Sequence, residues 1–135
     1  FAPERQMELY RSDISALAQA KSANYSGQYI ALRRFGKPID RIAKMYLAGG
    51  FANYVDEQNA IAIGFIANFP TEKIEKAGNA SLEGATLMLN SIGMRSTIEN
   101  LVKNIEHIEL ETTPDFFDIF VEGCMFKPMP EDILQ

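Results

Sequence analysis

The feature that most constrains the fold is a short apolar segment that runs into two glycines, in the stretch MYLAGGFANYVD. The run at residues 42–48 predicts a buried strand, and Gly49 with Gly50 predicts a tight turn at its end. A second predicted strand, residues 74–78, precedes a helix in the stretch KAGNASLEGA. Because strand, glycine turn and helix occur twice in this order, the chain is predicted to be one mixed α/β unit with few short strands and flanking helices.

Two helices are predicted before the second strand. Apolar residues at three- and four-residue spacing, Ile14 and Leu17 among them, predict one long helix over residues 12–35, with Ser12 as its N-cap. Gly36 is expected to end it. Asp56 is placed to cap a short helix that ends at Gly64, and a loop or a short extended segment is expected over residues 65–70.

Three helices and one strand are predicted in the C-terminal half. Asn79 is placed to cap a helix over residues 82–92, with Leu82, Ala85, Leu89 and Ile92 on its apolar face. The spacing of Ser96 and Glu99 predicts a capping box and a helix to about residue 104. A short strand is expected at 107–110. A last helix begins at Thr113 and Pro114 and is expected to bury Phe116, Phe117, Phe120 and Val121.

Composition excludes several classes of function. The 135 residues, 47% hydrophobic and 23% charged, suit one domain over residues 1–135. A net charge of -5 with scattered basic residues argues against nucleic-acid binding, and no apolar run approaches the roughly 20 residues of a membrane span. A single Cys124 and a single His107 argue against a disulfide, a thiolate-ligated cluster or a zinc site within this sequence. We therefore expect a cytoplasmic protein.

Few strands and an atypical first residue suggest an incomplete unit. About three short strands among five helices would leave sheet edges unpaired, which favours a partner chain or a further portion of the same polypeptide. The sequence also opens with Phe1 in place of methionine. Both observations lead us to expect either a piece of a longer protein or a chain that needs a partner.

Gly49 and Gly50 are the first candidate binding residues. Two glycines after a buried strand let a ligand approach backbone amides, which can contact a nucleoside or a phosphate. The alternative is a purely structural turn. The stretch lacks the lysine and hydroxyl residue of a P-loop, and it does not fit the dinucleotide fingerprint.

Asn79 and Lys21 each allow two interpretations. Asn79 either turns polar groups toward a ligand beside the helix N-terminus or caps that helix. Lys21 lies near the apolar stripe of the first helix, so it either extends its charge to solvent or points toward a ligand in a cleft. Gly84, inside a predicted helix, suggests close packing against another element. His107 and Cys124 are interpreted as structural.

Several blocks together resemble one family. DISALAQAKSA, LAGGFANYVD, AIAIGFIANFP, EKAGNASLEGA and IEHIELETTPDFFDIFVEGCMFKP, in this order and spacing, resemble the C-terminal part of the reductive activators of corrinoid proteins. The resemblance runs from about Asp13 to Pro128. It implies one lobe of an actin-like, ribonuclease H-like ATPase fold.

The resemblance also implies a function. Full-length members use ATP, with magnesium, to drive uphill electron transfer that returns a corrinoid protein to its methyl-accepting state, and their iron-sulfur cluster lies outside the region matched here. The LAGGF block is similar to an adenosine motif, which assigns Gly49, Gly50, Phe51 and Asn53 to nucleoside binding. Asn79 and Lys21 are assigned to the same site by placement.

The sequence departs from a complete activator. The acidic phosphate loop, the magnesium carboxylates and the cysteine-rich module of the family are missing from these 135 residues. The resemblance therefore implies partners in the remaining domains of the same polypeptide and a corrinoid protein. Two alternatives stay open, namely a non-catalytic interaction or homodimerisation module of the same half-fold, and an activator of a radical or dehydratase enzyme.

Overall fold

The computed structural model describes residue 4 and residues 8–130. These residues form five α-helices and two β-strands, which confirms the mixed α/β class. In chain order the elements are α1 (Arg11–Phe35), β1 (Met45–Ala48), α2 (Glu57–Ala62), β2 (Ile74–Gly78), α3 (Ala80–Asn90), α4 (Ile92–Val102) and α5 (Phe116–Gly123).

The long helix α1 has its predicted end but a different start. Its last turn closes on Gly36, which adopts the left-handed conformation (φ 63°) and donates its N–H to the carbonyl of Leu32 at 3.1 Å. The helix begins one residue before Ser12, so the prediction that Ser12 is the N-cap was wrong. Instead the carboxylate of Asp13 accepts the backbone N–H of Tyr10 at 2.9 Å, which satisfies a donor at the helix start.

The two strands pair in parallel. Met45 lies opposite Ile74 and Leu47 lies opposite Lys76. The next pair is Ala48 with Gly78, so the register shifts by one residue at this point. Strand β2 has the predicted bounds, whereas β1 is shorter than residues 42–48.

Two sequence predictions for the segment from α3 to α5 were wrong. The hydroxyl of Ser91 accepts the N–H of Met94 at 3.2 Å and caps α4, so the helix starts well before Ser96, and the predicted capping box lies inside it. Residues 107–109 are irregular chain, not a strand. Ile108 and Leu110 nevertheless pack against the core. The alternation of apolar and polar residues therefore reflects this packing and not the pairing of a strand.

Helices α1 and α5 pack closely and run antiparallel. Near one end the Ser22 hydroxyl donates to the carbonyl of Phe120, and a Cβ added to Gly123 would lie 2.6 Å from Ser22 Oγ. Near the other end Arg33 makes two hydrogen bonds, of 2.5 and 2.9 Å, to the carboxylate of Asp115. Small side chains therefore permit the contact and a bidentate ion pair orients it.

The buried core lies mainly between α1 and α5. Its buried cluster consists of Tyr25, Ile30, Ala67, Ile119 and Met129. Two residues predicted to face it do not, because Phe117 is 73% exposed and Val121 is 49% exposed. These positions lie four residues apart on one face of α5, and Ile119 occupies the opposite, core-facing side.

Helices α3 and α4 pack against each other but leave a broad apolar surface. Leu89 is 75% exposed and Ile92 is 80% exposed, so the apolar face predicted for residues 82–92 is not buried within the described residues. A Cβ added to Gly84 would meet no atom within 4 Å in the part of the chain described here, so the expected close packing there was wrong. Ile14 and Leu17 of α1 are likewise exposed. Among the described helices, none has the length and hydropathy required to cross a membrane.

Candidate functional site

The corner after β1 is open and needs glycine. Gly49 has a backbone φ of 100°, a value that residues with a side chain rarely adopt. Its N–H donates to the carbonyl of Gly78 at 2.7 Å. A Cβ added to Gly49, Gly50 or Gly78 would meet no atom of the described residues within 4 Å. The backbone at this corner is therefore accessible and is not covered by side chains.

The corners after β1 and β2 lie side by side. Both strands run in the same direction, so their carboxyl ends share one edge of the sheet. Asn79 follows β2 at this edge, and its side-chain oxygen accepts the N–H of Leu82 at 3.1 Å, which confirms it as the cap of α3. Direct contact of Asn79 with a ligand stays a prediction.

The loop after Gly50 carries two exposed aromatic rings. Phe51 is 73% exposed and stands edge-to-face with Phe65, with ring centroids 6.1 Å apart. A 3-10 turn, Ala52–Tyr54, follows, and Tyr54 is 89% exposed. An exposed ring can stack on a planar base. Tyr54 was not singled out from the sequence, although it lies within the stretch MYLAGGFANYVD.

Lys76 ties this loop to β2. Its ammonium lies 2.8 Å from the carbonyl oxygen of Val55, 3.4 Å from that of Asn53 and 3.0 Å from a carboxylate oxygen of Glu57. The hydrogen bond from Lys76 holds the pKa of Glu57 below its usual value. The sequence analysis did not predict this contact, because the residues around a lysine in a short strand do not indicate which distant loop its side chain contacts.

A cavity of about 380 Å³ lies beside the corner. Asn24 and Gln28 of α1 line it together with Phe51 and Phe65. Both amide side chains also donate to the carbonyl of Phe65, Asn24 at 2.5 Å and Gln28 at 2.9 Å. The other lining residues are Met45, Tyr46, Leu47, Ala48, Ala52, Val55 and Ile66.

Lys21 is fully buried, so the interpretation that it extends its charge to solvent was wrong. Its ammonium donates to the carbonyls of Gly123 at 2.5 Å and Met125 at 2.7 Å, at the end of α5. Burial lowers the pKa of Lys21 below its usual value. The expected contact of Lys21 with a nucleoside stays a prediction, and the ammonium here faces carbonyl oxygens.

The structure thus groups most of the predicted residues at one edge. Gly49, Gly50, Phe51 and Asn53 follow β1, and Asn79 follows β2. Lys21 instead binds the end of α5. In the described part of the chain, no three His, Cys, Asp or Glu side chains form a group that could hold a metal ion.

The family-model and structural matches assign this fold, with its two parallel strands and neighbouring glycine corners, to the actin-like class. The chain belongs to the family described as the C-terminal domain of RACo, the ASKHA domain, whose family model matches residues 2–134. The resemblance to reductive activators of corrinoid proteins is thereby confirmed.

Individual relatives agree with this assignment. The chain is similar to the corrinoid activation enzyme RamQ of Eubacterium limosum, with 29% identity over 116 residues, covering 86% of this chain and 20% of RamQ. A solved structure of a reductive activator for a corrinoid, iron-sulfur protein matches with a TM-score of 0.80 and 28% identity, covering 90% of this chain and 19% of the other. The chain therefore spans about a fifth of the length of these relatives.

Proposed function

We propose that this chain is the C-terminal lobe of an ATP-dependent, iron-sulfur reductive activator of a corrinoid protein and supplies the adenosine side of its nucleotide cleft. The names of the two relatives support the corrinoid part of this proposal. The open corner at Gly49 and Gly50 supports the nucleoside part.

The open corner is the observation that carries the proposal. Ligands of α/β domains bind outside the carboxyl ends of parallel strands, where loops and helix N-termini converge. Here Gly49 and Gly78 meet at that edge through a 2.7 Å hydrogen bond, with open space where their side chains would stand. A nucleoside can approach the backbone there without displacing any side chain.

Each predicted site residue has a role in this proposal. Phe51 contacts the adenine by stacking or edge-to-face, while Asn53 and Asn79 offer amide groups to the ribose or base. Lys21 acts from α1, and it needs a change in its present hydrogen bonds to reach the nucleoside. All of these proposed roles concern binding of adenosine, and none of them requires attack on a phosphate.

In this proposal, the remaining parts of the activator belong to other segments of the longer protein. Phosphoryl-group stabilisation requires metal ligands and donors around the transferred group, and ATP with magnesium would bind between this lobe and a second one. The second lobe, the iron-sulfur cluster and the surface for the corrinoid protein belong to the remaining domains. ATP would then favour the conformation that fits the corrinoid protein, through its different affinity for the two states.

Gly50→Val in the longer protein tests the nucleoside site. An added Cβ at Gly50 meets no atom, so the protein should fold while the new methyl groups occupy the open corner. We expect the affinity for magnesium-ATP, measured by calorimetry, to fall at least about tenfold. Gly93→Val is the control, because among the described atoms a Cβ at Gly93 would meet only Ser91 Oγ, at 3.8 Å in the first turn of α4. Equal affinities of both variants and the wild type would refute the assignment.

A second candidate is an interaction or homodimerisation module. The exposed apolar residues of α3 and α4 favour it, with Leu89, Ile92 and Leu101 each at least 60% exposed. Contiguous apolar surface of this kind marks contact sites. Sedimentation of the isolated chain at several concentrations distinguishes a dimer from a monomer, and Leu89→Glu should dissociate a dimer formed through this surface.

A further inference from the structure

We propose that Lys76 is a positioning residue for nucleotide binding, because its ammonium fixes the loop after Gly49 and Gly50 against β2. This inference rests on the proposed function and adds a residue that acts on the site without contacting the ligand. The contacts of Lys76, Val55 and Glu57 carry it.

The three hydrogens of the Lys76 ammonium face three oxygens of the segment that follows the corner. The carbonyls of Asn53 and Val55 lie at 3.4 and 2.8 Å, and the carboxylate of Glu57 lies at 3.0 Å. An ammonium has three donors and no acceptor, so these partners account for its donors. Lys76 therefore affects a ligand through the loop and offers no hydrogen bond of its own.

The position of Lys76 in β2 makes this contact important for the corner. Lys76 pairs with Leu47, and the register shift that follows brings Gly78 opposite Ala48. That shift aligns the Gly78 carbonyl with the Gly49 N–H. One residue thus links the strand that carries Gly78 to the loop that carries Phe51 and Asn53.

Apart from the ring contact of Phe51 with Phe65 and the burial of Ala52, the described bonds that hold the rest of this loop are short and local. Its backbone bonds run from Ala52 to Gly49 at 3.2 Å, from Tyr54 to Phe51 at 3.0 Å and from Val55 to Ala52 at 3.3 Å. All three close turns within the loop, and none ties it to β2. Loss of the Lys76 contacts should therefore let residues 50–55 move relative to β2 while the helices stay folded.

Lys44 provides a matched control. Its ammonium lies 2.6 Å from the carboxylate of Glu75, so it also joins the β1 side of the sheet to β2 through a lysine–glutamate pair. Unlike Lys76, it has no hydrogen bond to a loop carbonyl among the described contacts. Lys44→Met and Lys76→Met therefore remove the same type of ion pair, and only the second releases the loop.

Hydrogen exchange of this chain, followed by mass spectrometry, tests the contact without any nucleotide. We expect Lys76→Met to speed exchange in peptides covering residues 50–56 several-fold relative to α1 and α5, and Lys44→Met to leave it unchanged. Lys76→Arg keeps a cation with several donors and should restore part of the protection. Unchanged exchange in Lys76→Met would overturn the proposal.

Magnesium-ATP titration of the longer protein tests the consequence. Lys76→Met should bind about fivefold to tenfold more weakly than Lys44→Met, with partial recovery in Lys76→Arg. Faster exchange with unchanged affinity, or no recovery with arginine, would overturn the positioning role. If the wild type binds no nucleotide, the proposed function fails and this role fails with it, while the exchange data still decide whether Lys76 holds the loop.

Discussion

Replacing Lys21 with methionine tests what fixes the end of α5 against α1. Methionine keeps much of the length and packing of the side chain but has no charge and no donor. The carbonyls of Gly123 and Met125 then lose partners at 2.5 and 2.7 Å. Because Lys21 is fully buried, its replacement brings a methyl group, not water, to these oxygens.

The expected loss in the free energy of unfolding is the balance of opposing contributions. A hydrogen bond from a charged donor contributes about 1.5–3 kcal/mol, and a buried carbonyl left unpaired costs about 1–3 kcal/mol. Removing a buried ammonium also removes its dehydration penalty of several kcal/mol, which offsets part of the loss. We therefore expect Lys21→Met to lower the free energy of unfolding by about 2–4 kcal/mol. This is a large share of the about 5–15 kcal/mol typical of a domain.

Urea unfolding of the isolated chain, followed by far-ultraviolet circular dichroism, measures this loss. Lys103→Met is the control, because Lys103 is exposed and, within the part of the chain that the structure describes, its ammonium bonds only to Asn100 Oδ1 of the same helix end, at 3.0 Å. Its effect should stay within about 0.5 kcal/mol. If Lys21→Met were as stable as Lys103→Met, the two carbonyl bonds would contribute nothing and the reasoning would be refuted.

Two further predictions concern the contact between α1 and α5. Gly123→Ala should lower the free energy of unfolding by about 1–3 kcal/mol, because its Cβ would lie 2.6 Å from Ser22 Oγ, whereas Gly27→Ala, with its nearest neighbour at 3.8 Å, should not destabilise. Asp115→Asn should destabilise at neutral pH, since the hydrogen bond from Arg33 holds the pKa of Asp115 below its usual 3.8. A depressed carboxyl pKa gives stability that is present above 3.8 and lost as the pH falls through the folded-state value. The wild-type advantage should therefore vanish in acid, and a constant advantage across urea titrations at several pH values would contradict the ion pair.

The glycine corner illustrates what local sequence can predict. An apolar run followed by Gly49 and Gly50 indicates a strand and a turn from neighbours in the chain alone, and β1 and its corner lie there. Asp56 was predicted as a cap for the same local reason, and its carboxylate accepts the Asn59 N–H at 2.8 Å. Such features depend on residues three or four positions apart, so the sequence contains their cause.

The errors arose where two local signals compete or where an alternating pattern has no strand to pair with. Ser91 and Ser96 can each cap a helix, and in the structure Ser91 is the cap. At residues 107–110, alternation buries Ile108 and Leu110 without any strand pairing. Phe117 and Ile119 are both apolar, and the direction of α5 against α1 decided which of them is buried.

The amino-acid sequence by itself determined the order of the five helices and of the two strands β1 and β2, the glycine corners and the family, because each depends on residues close together or on blocks in a recognisable order. Only the tertiary structure decided the partners of Lys21, 102 and 104 residues away at the end of α5, and those of Lys76 in the loop after β1. A long side chain can reach many oxygens, and its choice depends on which backbone groups folding leaves near it and out of water.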